Sequence, residues 1–124
     1  MKYRFLLIFC LTLVSFYGYG QKAYEAVYYK GRLGDKIIRF VLGNGYIGAS
    51  ELKLYLQKKP ILFYPEMGVP DQKKQIRFEA FRTGRKDYFI LDHMEDVYEQ
   101  SPSSISGKYC SGGKIRKIQL YRLR

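Results

Sequence analysis

Apolar and polar side chains alternate along most of this chain in short runs, each closed by Gly, Pro, Asn or Asp. The clearest unit runs from Lys36 to Gly48. Ile37, Ile38, Phe40, Val41 and Leu42 are β-branched, aromatic or bulky apolar residues that suit a pleated strand. Ile38, Phe40 and Leu42 share one face, which predicts core, while Ile37, Arg39 and Val41 share a mixed face. Asn44-Gly45 follows, the dipeptide a tight hairpin turn prefers because both central residues tolerate positive φ. A returning strand is expected from Tyr46 to Leu56, bent at Gly48.

The same theme recurs on either side. Ala23 to Lys30 reads as a strand, with Tyr24, Ala26 and Tyr28 on one side and Glu25, Val27 and Tyr29 on the other. Gly31 to Asp35 reads as a Gly-rich turn. Leu52, Leu54 and Leu56 are spaced by two, so a helix would scatter them around its circumference and a strand is expected. Ile61 to Tyr64 is a short strand stopped by Pro65. Glu66 to Lys74, with Gly68, Pro70 and Asp71, is a loop. Gln75 to Phe81 alternates, with Ile76, Phe78 and Ala80 on one face. Arg82 to Lys86 is a basic turn, and Asp87 to Leu91 is a strand. Asp92 to Pro102 is a polar, acidic loop. Ile105 to Cys110 and Lys114 to Leu123 form a closing hairpin around Ser111-Gly112-Gly113. The sum is about eight short strands with frequent turn signals. That pattern predicts an all-β fold, a single antiparallel meander closed or nearly closed into a barrel, with a β-sandwich as the alternative. Closure removes exposed sheet edges.

Residues 1–20 have a different character. Lys2 and Arg4 precede an apolar run from Phe5 to Val14, and small and polar residues lead to Gly20. This is the layout of a secretory signal peptide, with cleavage expected after Gly20. The run is short for a membrane span. Phe9 stands before Cys10 where lipid attachment wants a small residue. Residues 21–124 are then one exported domain, periplasmic or extracellular, with no later segment able to cross a bilayer as a helix. Cys10 leaves with the leader. Cys110 is left alone, to be buried as a small hydrophobe or to serve as a free thiol, and we read it as buried.

Charge narrows the partners. The chain carries 22 Lys and Arg against 11 Asp and Glu, a formal +11. Such a balance attracts anions: nucleic acid, lipopolysaccharide, anionic lipid or an acidic protein. The basic residues are spread over nearly every segment, so a generally anion-attracting surface is expected, not a dedicated block. Basic and aromatic residues interleave at Tyr28-Tyr29-Lys30-Gly31-Arg32, at Arg77-Phe78 and from Lys117 to Arg124. Export argues against nucleic acid as the partner.

Two polar constellations offer candidate chemistry. Asp92-His93-Met94-Glu95-Asp96 offers one His and three carboxylates, but zinc sites usually use several His or Cys and the chain has one His. We read it as a solvated acidic loop. Arg77, Glu79, Arg82 and His93 contain the elements of metal-free RNA hydrolysis: a carboxylate base, a histidine acid and arginines for the phosphate. Tyr88 to Tyr98 is similar to the terminal Asp-His stretch of small bacterial ribonucleases, which however end soon after that His and place helices before the sheet. A hydrolase using Glu79 and His93 is therefore the alternative function. Gly43-Asn44-Gly45 and Ser111-Gly112-Gly113 join strands, so neither makes a phosphate loop at a helix N-terminus. No catalytic, cofactor-binding or metal residue is assigned.

The order strand, Gly turn, strand, with Ser106-Gly107-Lys108-Tyr109 opening the last hairpin, resembles small up-and-down barrels of the avidin and lipocalin kind. In those families a Trp commonly occupies the place of Tyr109. None of their ligand-contacting residues carries over to this chain. The expectation is an exported, non-enzymatic binding or envelope-associated protein. Its ligand would lie inside the barrel, or an anionic envelope component or protein would lie on the basic outside.

Overall fold

The computed structural model describes residues 24–81 and 84–124. The leader expected over residues 1–20 lies outside them. The described chain is an antiparallel meander of eight strands: β1 (Glu25–Leu33), β2 (Lys36–Asn44), β3 (Glu51–Leu56), β4 (Lys59–Pro65), β5 (Ile76–Ala80), β6 (Tyr88–Leu91), β7 (Ser104–Ser111) and β8 (Lys114–Arg122). Each pairs with the next, and β8 returns to β1, so the sheet closes into a barrel. The barrel predicted from alternation is therefore correct, and the sandwich alternative is not formed.

Two glycines let neighbouring strands approach closely, one of them at the closing β1–β8 seam. Gly31 of β1 lies opposite Leu120 of β8. A Cβ there would come within 2.6 Å of the Gln119 carbonyl oxygen and of Leu120 Cδ2. Gly107 of β7 lies opposite Leu91 of β6, where a Cβ would meet the Ile90 carbonyl oxygen at 2.5 Å. Neither space admits a side chain.

Side chains fill the interior. Tyr29, Phe40, Phe63, Phe78 and Phe89 are all essentially inaccessible to solvent, together with Ile38, Leu42, Leu52, Leu54 and Leu91. Phe40 meets Phe78 edge-on at 5.5 Å between ring centroids, and Phe63 meets Phe89 edge-on at 4.9 Å. Each such pair contributes roughly 1 kcal/mol beyond the area it buries. The Tyr29 hydroxyl, the one polar tip among these rings, donates to the Pro102 carbonyl at 2.7 Å. An eight-stranded barrel is about wide enough for its own side chains, and here they occupy it.

The two ends differ. One end carries tight turns. Leu33 pairs with Lys36 around Gly34, Leu56 with Lys59 around Gln57, and Ser111 with Lys114 around Gly112 and Gly113. All four turn residues have positive φ. The other end carries the long connections 45–50, 66–75 and 92–103. Ile47 and Met94 reach from two of these into the core and close that mouth, with 2% and 0% of their surface exposed.

Three sequence expectations need correction. Asn44-Gly45 is not a two-residue hairpin turn. Asn44 is the last residue of β2, paired with Glu25. Tyr46 to Ser50 is not strand but contains a 3-10 turn at Ile47–Ala49. The gain is burial of Ile47 and of Ser50, whose hydroxyl accepts from the Gly43 amide at 2.9 Å. Finally, β1 runs on through Gly31 and Arg32 to Leu33, and the turn is only Gly34-Asp35.

Candidate anion-binding face

Alternation decides which basic residues leave the barrel. In β1, Val27, Tyr29, Gly31 and Leu33 face the core, so Tyr28, Lys30 and Arg32 face out. In β2, Ile38, Phe40 and Leu42 face in and Arg39 faces out. In β3, Leu52 and Leu54 face in, leaving Glu51, Lys53 and Tyr55 outside.

Register then aligns three of these cations. Lys30 is directly opposite Arg39, and Arg39 is directly opposite Lys53. With neighbouring strands about 4.8 Å apart, three positive side chains start from a row about 10 Å long. Like charges directly opposite one another destabilise a sheet. The row also has little compensation. Lys53 meets Glu51 at 3.5 Å, but Lys30 and Arg39 have no carboxylate partner among the described residues. Arg39 instead lies over the Tyr55 ring, 5.9 Å from its centroid.

Six carboxylates are used elsewhere. Arg77 has Glu79 at 2.9 Å and Glu66 at 3.7 Å, on the far side of the barrel. Glu95 pairs with Lys74 at 3.4 Å. Asp71 caps the amides of Lys73 and Gln75, and Asp92 accepts from the Gln75 side chain at 2.7 Å. Asp87 is buried between Arg85, which donates twice, and the Tyr109 hydroxyl at 2.6 Å. Burial works against ionisation of Asp87, but these hydrogen bonds and the charge of Arg85 outweigh it and hold the carboxyl below its usual value.

Tyrosines frame the row. Tyr121 of β8 is opposite Lys30 and is 61% exposed, and Tyr28, next to it on β1, is 57% exposed. Beside the row, on the side of the tight turns, an open cleft of about 520 Å³ is formed by Asp35, Lys36, Ile37, Tyr55, Leu56 and Gln57.

The sequence-predicted acid–base set does not assemble. Glu79 is held against Arg77 near the start of β6, opposite Tyr88. His93 is exposed on the loop beyond the other end of β6, with φ 55°. The four residues of β6 run between the two places, about 10 Å of extended chain. Arg82 lies outside the described residues. The Asp92 to Asp96 stretch also diverges. Met94 turns into the core, while Asp92, Glu95 and the Asp96 carbonyl bond Gln75, Lys74 and the Gly45 amide. No three His, Cys, Asp or Glu side chains converge as a metal set among the described residues.

Cys110 is buried, as expected. It packs on the outer side of the sheet, opposite Tyr88 and Ile115, at the base of a shallow cleft of about 250 Å³.

The row escapes sequence reading because Lys30, Arg39 and Lys53 lie far apart along the chain. Their outward direction follows from alternation, and their opposition follows only from register. Comparison with protein-family models, with curated proteins and with solved structures finds no match to this chain.

Proposed function

We propose that this is an exported, non-enzymatic barrel, of the avidin- and lipocalin-like up-and-down kind, that holds an anionic partner of the cell envelope on its outside. The observation that carries the reading is the row Lys30, Arg39 and Lys53, in which only Lys53 has a carboxylate partner among the described residues. A sheet gains nothing for its own stability from three opposed cations, so their placement is best accounted for by a ligand that neutralises them. The leader-like residues 1–20 support export. The interior supports an outside site, because aromatic and aliphatic side chains occupy the space a ligand would need. The outward charges also make a poor wall for a membrane-spanning barrel, where lipid-facing Lys and Arg are costly.

The test is titration of the purified protein with inorganic polyphosphate at low and high salt. Lys30→Gln/Arg39→Gln/Lys53→Gln is compared with Lys58→Gln/Lys73→Gln/Lys114→Gln, which removes the same charge elsewhere. Binding that the first variant loses and the second keeps supports the reading. Equal loss in both overturns it, as does a parent protein that binds none of polyphosphate, an oligouronate or anionic vesicles.

A further inference from the structure

The face contains more than charge. A site for simple polyanions needs cations alone, yet here exposed aromatic rings flank them. Tyr121 continues the row beyond Lys30, and Tyr28 lies diagonally beside it. Neither ring packs against another ring among the described residues, and both leave more than half of their surface to solvent. Tyr55 lies at the opposite corner, with one face under Arg39, and it lines the open cleft.

We infer that the outer face of β1–β3 binds an acidic glycan chain, with Lys30, Arg39 and Lys53 on successive acidic groups and Tyr28, Tyr121 and Tyr55 against the sugar rings. This rests on the anion-binding reading above and names its ligand class. The chemistry fits in two respects. A pyranose presents an apolar face of C–H groups, which an exposed aromatic ring covers while its hydroxyl remains free to hydrogen-bond. A sugar ring is also comparable in length to the spacing between strands, so acidic groups on successive sugars meet cations on successive strands. The open cleft beside Tyr55 gives the chain room to turn off the row toward the tight-turn end of the barrel. A phosphate polymer would use the cations and leave the rings idle. An anionic bilayer would require a broader apolar surface than the neighbouring rings of Tyr28 and Tyr121 and the distant ring of Tyr55 supply.

The experiment measures dissociation constants of the full protein for a hexameric oligouronate, for inorganic polyphosphate of matched charge, and for vesicles containing an anionic phospholipid. Tyr28→Ala and Tyr121→Ala are each expected to weaken oligouronate binding about fivefold. They should leave polyphosphate binding within about twofold. Tyr28→Phe keeps the ring and should restore the parent affinity for the oligouronate. Row-dependent binding of polyphosphate without any effect of the tyrosines on oligouronate would overturn the glycan and leave the anion-binding reading standing. Binding to vesicles but not to free oligouronate would likewise overturn it in favour of a membrane surface. Absence of row-dependent binding to all three probes would remove both proposals.

Discussion

The side-chain amide of Asn44 meets the backbone of Tyr98 in two hydrogen bonds. Its Nδ2 donates to the Tyr98 carbonyl at 3.0 Å, and its Oδ1 accepts from the Tyr98 amide at 2.7 Å. Asn44 thus presents to the loop the donor and acceptor that another strand would present. Tyr98 passes the constraint on. Its hydroxyl donates to the His93 carbonyl at 3.0 Å and accepts from the Glu95 amide at 3.0 Å. The loop that carries Met94 into the barrel mouth is therefore anchored to the end of β2.

Replacing Asn44 with Ala leaves the Tyr98 amide and carbonyl without that partner. The expected loss is about 2 kcal/mol of stability, read from the midpoint of urea unfolding. Hydrogen exchange should quicken at the Tyr98 and Glu95 amides before it quickens in β2. Asn44→Asp keeps the acceptor but sets a carboxylate against the Tyr98 carbonyl. It should therefore rescue little.

Asn44 also shows where sequence reading stops. Asn-Gly is a strong local turn signal, but its amide here serves a residue 54 positions away. Local pattern cannot reveal such a partner. Ile38, Phe40, Leu42, Ile76, Phe78, Phe89 and Leu91 were legible because alternation alone assigns them to one face, and all are buried. Gly31 reads as a turn residue in the sequence because nothing local shows that β8 pairs there. The basic row suffered most. The opposition of Lys30 and Arg39 depends on the two-residue turn Gly34-Asp35. That of Arg39 and Lys53 depends on the connection 45–50. Both connections differ in length from what the local pattern predicts, so that pattern does not reveal which cations stand opposite one another.

Gly31→Ala and Gly107→Ala should each destabilise the barrel by about 1–3 kcal/mol. The atoms their Cβ would meet include backbone carbonyl oxygens of the neighbouring strand, which cannot give way as a flexible side chain can. Gly68 supplies the control, since nothing lies within 4 Å of a Cβ there. Gly68→Ala should be neutral or slightly stabilising through the unfolded state. Thermal unfolding of the three variants, in parallel, checks the ordering.

Asp87 gives the fold a defined acid sensitivity. Its carboxyl is held below the ordinary value of 3.8 in the folded protein. The unfolded chain therefore takes up this proton first as pH falls. The stabilisation is fully present above the unfolded value and is lost as pH falls below it and through the folded value. Asp87→Asn should cost about 2 kcal/mol near neutrality, since Arg85 and Tyr109 lose a charged acceptor. The difference between parent and variant should close as the pH is lowered through the carboxylate range. Urea unfolding at several pH values reads this, and a gap that persists unchanged in acid would assign the loss to packing instead.

The row Lys30, Arg39 and Lys53 should show a conflict between stability and binding. Lys30 faces Arg39 across the strand pair, and neither has a carboxylate partner among the described residues. Lys30→Glu replaces a repulsive pair by an attractive one at the same positions. The gain expected from cross-strand pairing is about 0.5–1 kcal/mol at low ionic strength. Because the pair is solvated, salt should remove most of the gain as the screening length falls to about 3 Å at 1 M. The same substitution puts a negative charge in the middle of the anion-binding row, so affinity for polyphosphate or oligouronate should drop. A rise in melting temperature together with weaker binding is the expected signature of a residue placed for its ligand and not for the fold. Lys58→Glu, on the tight turn between β3 and β4, changes the net charge equally and should produce neither effect.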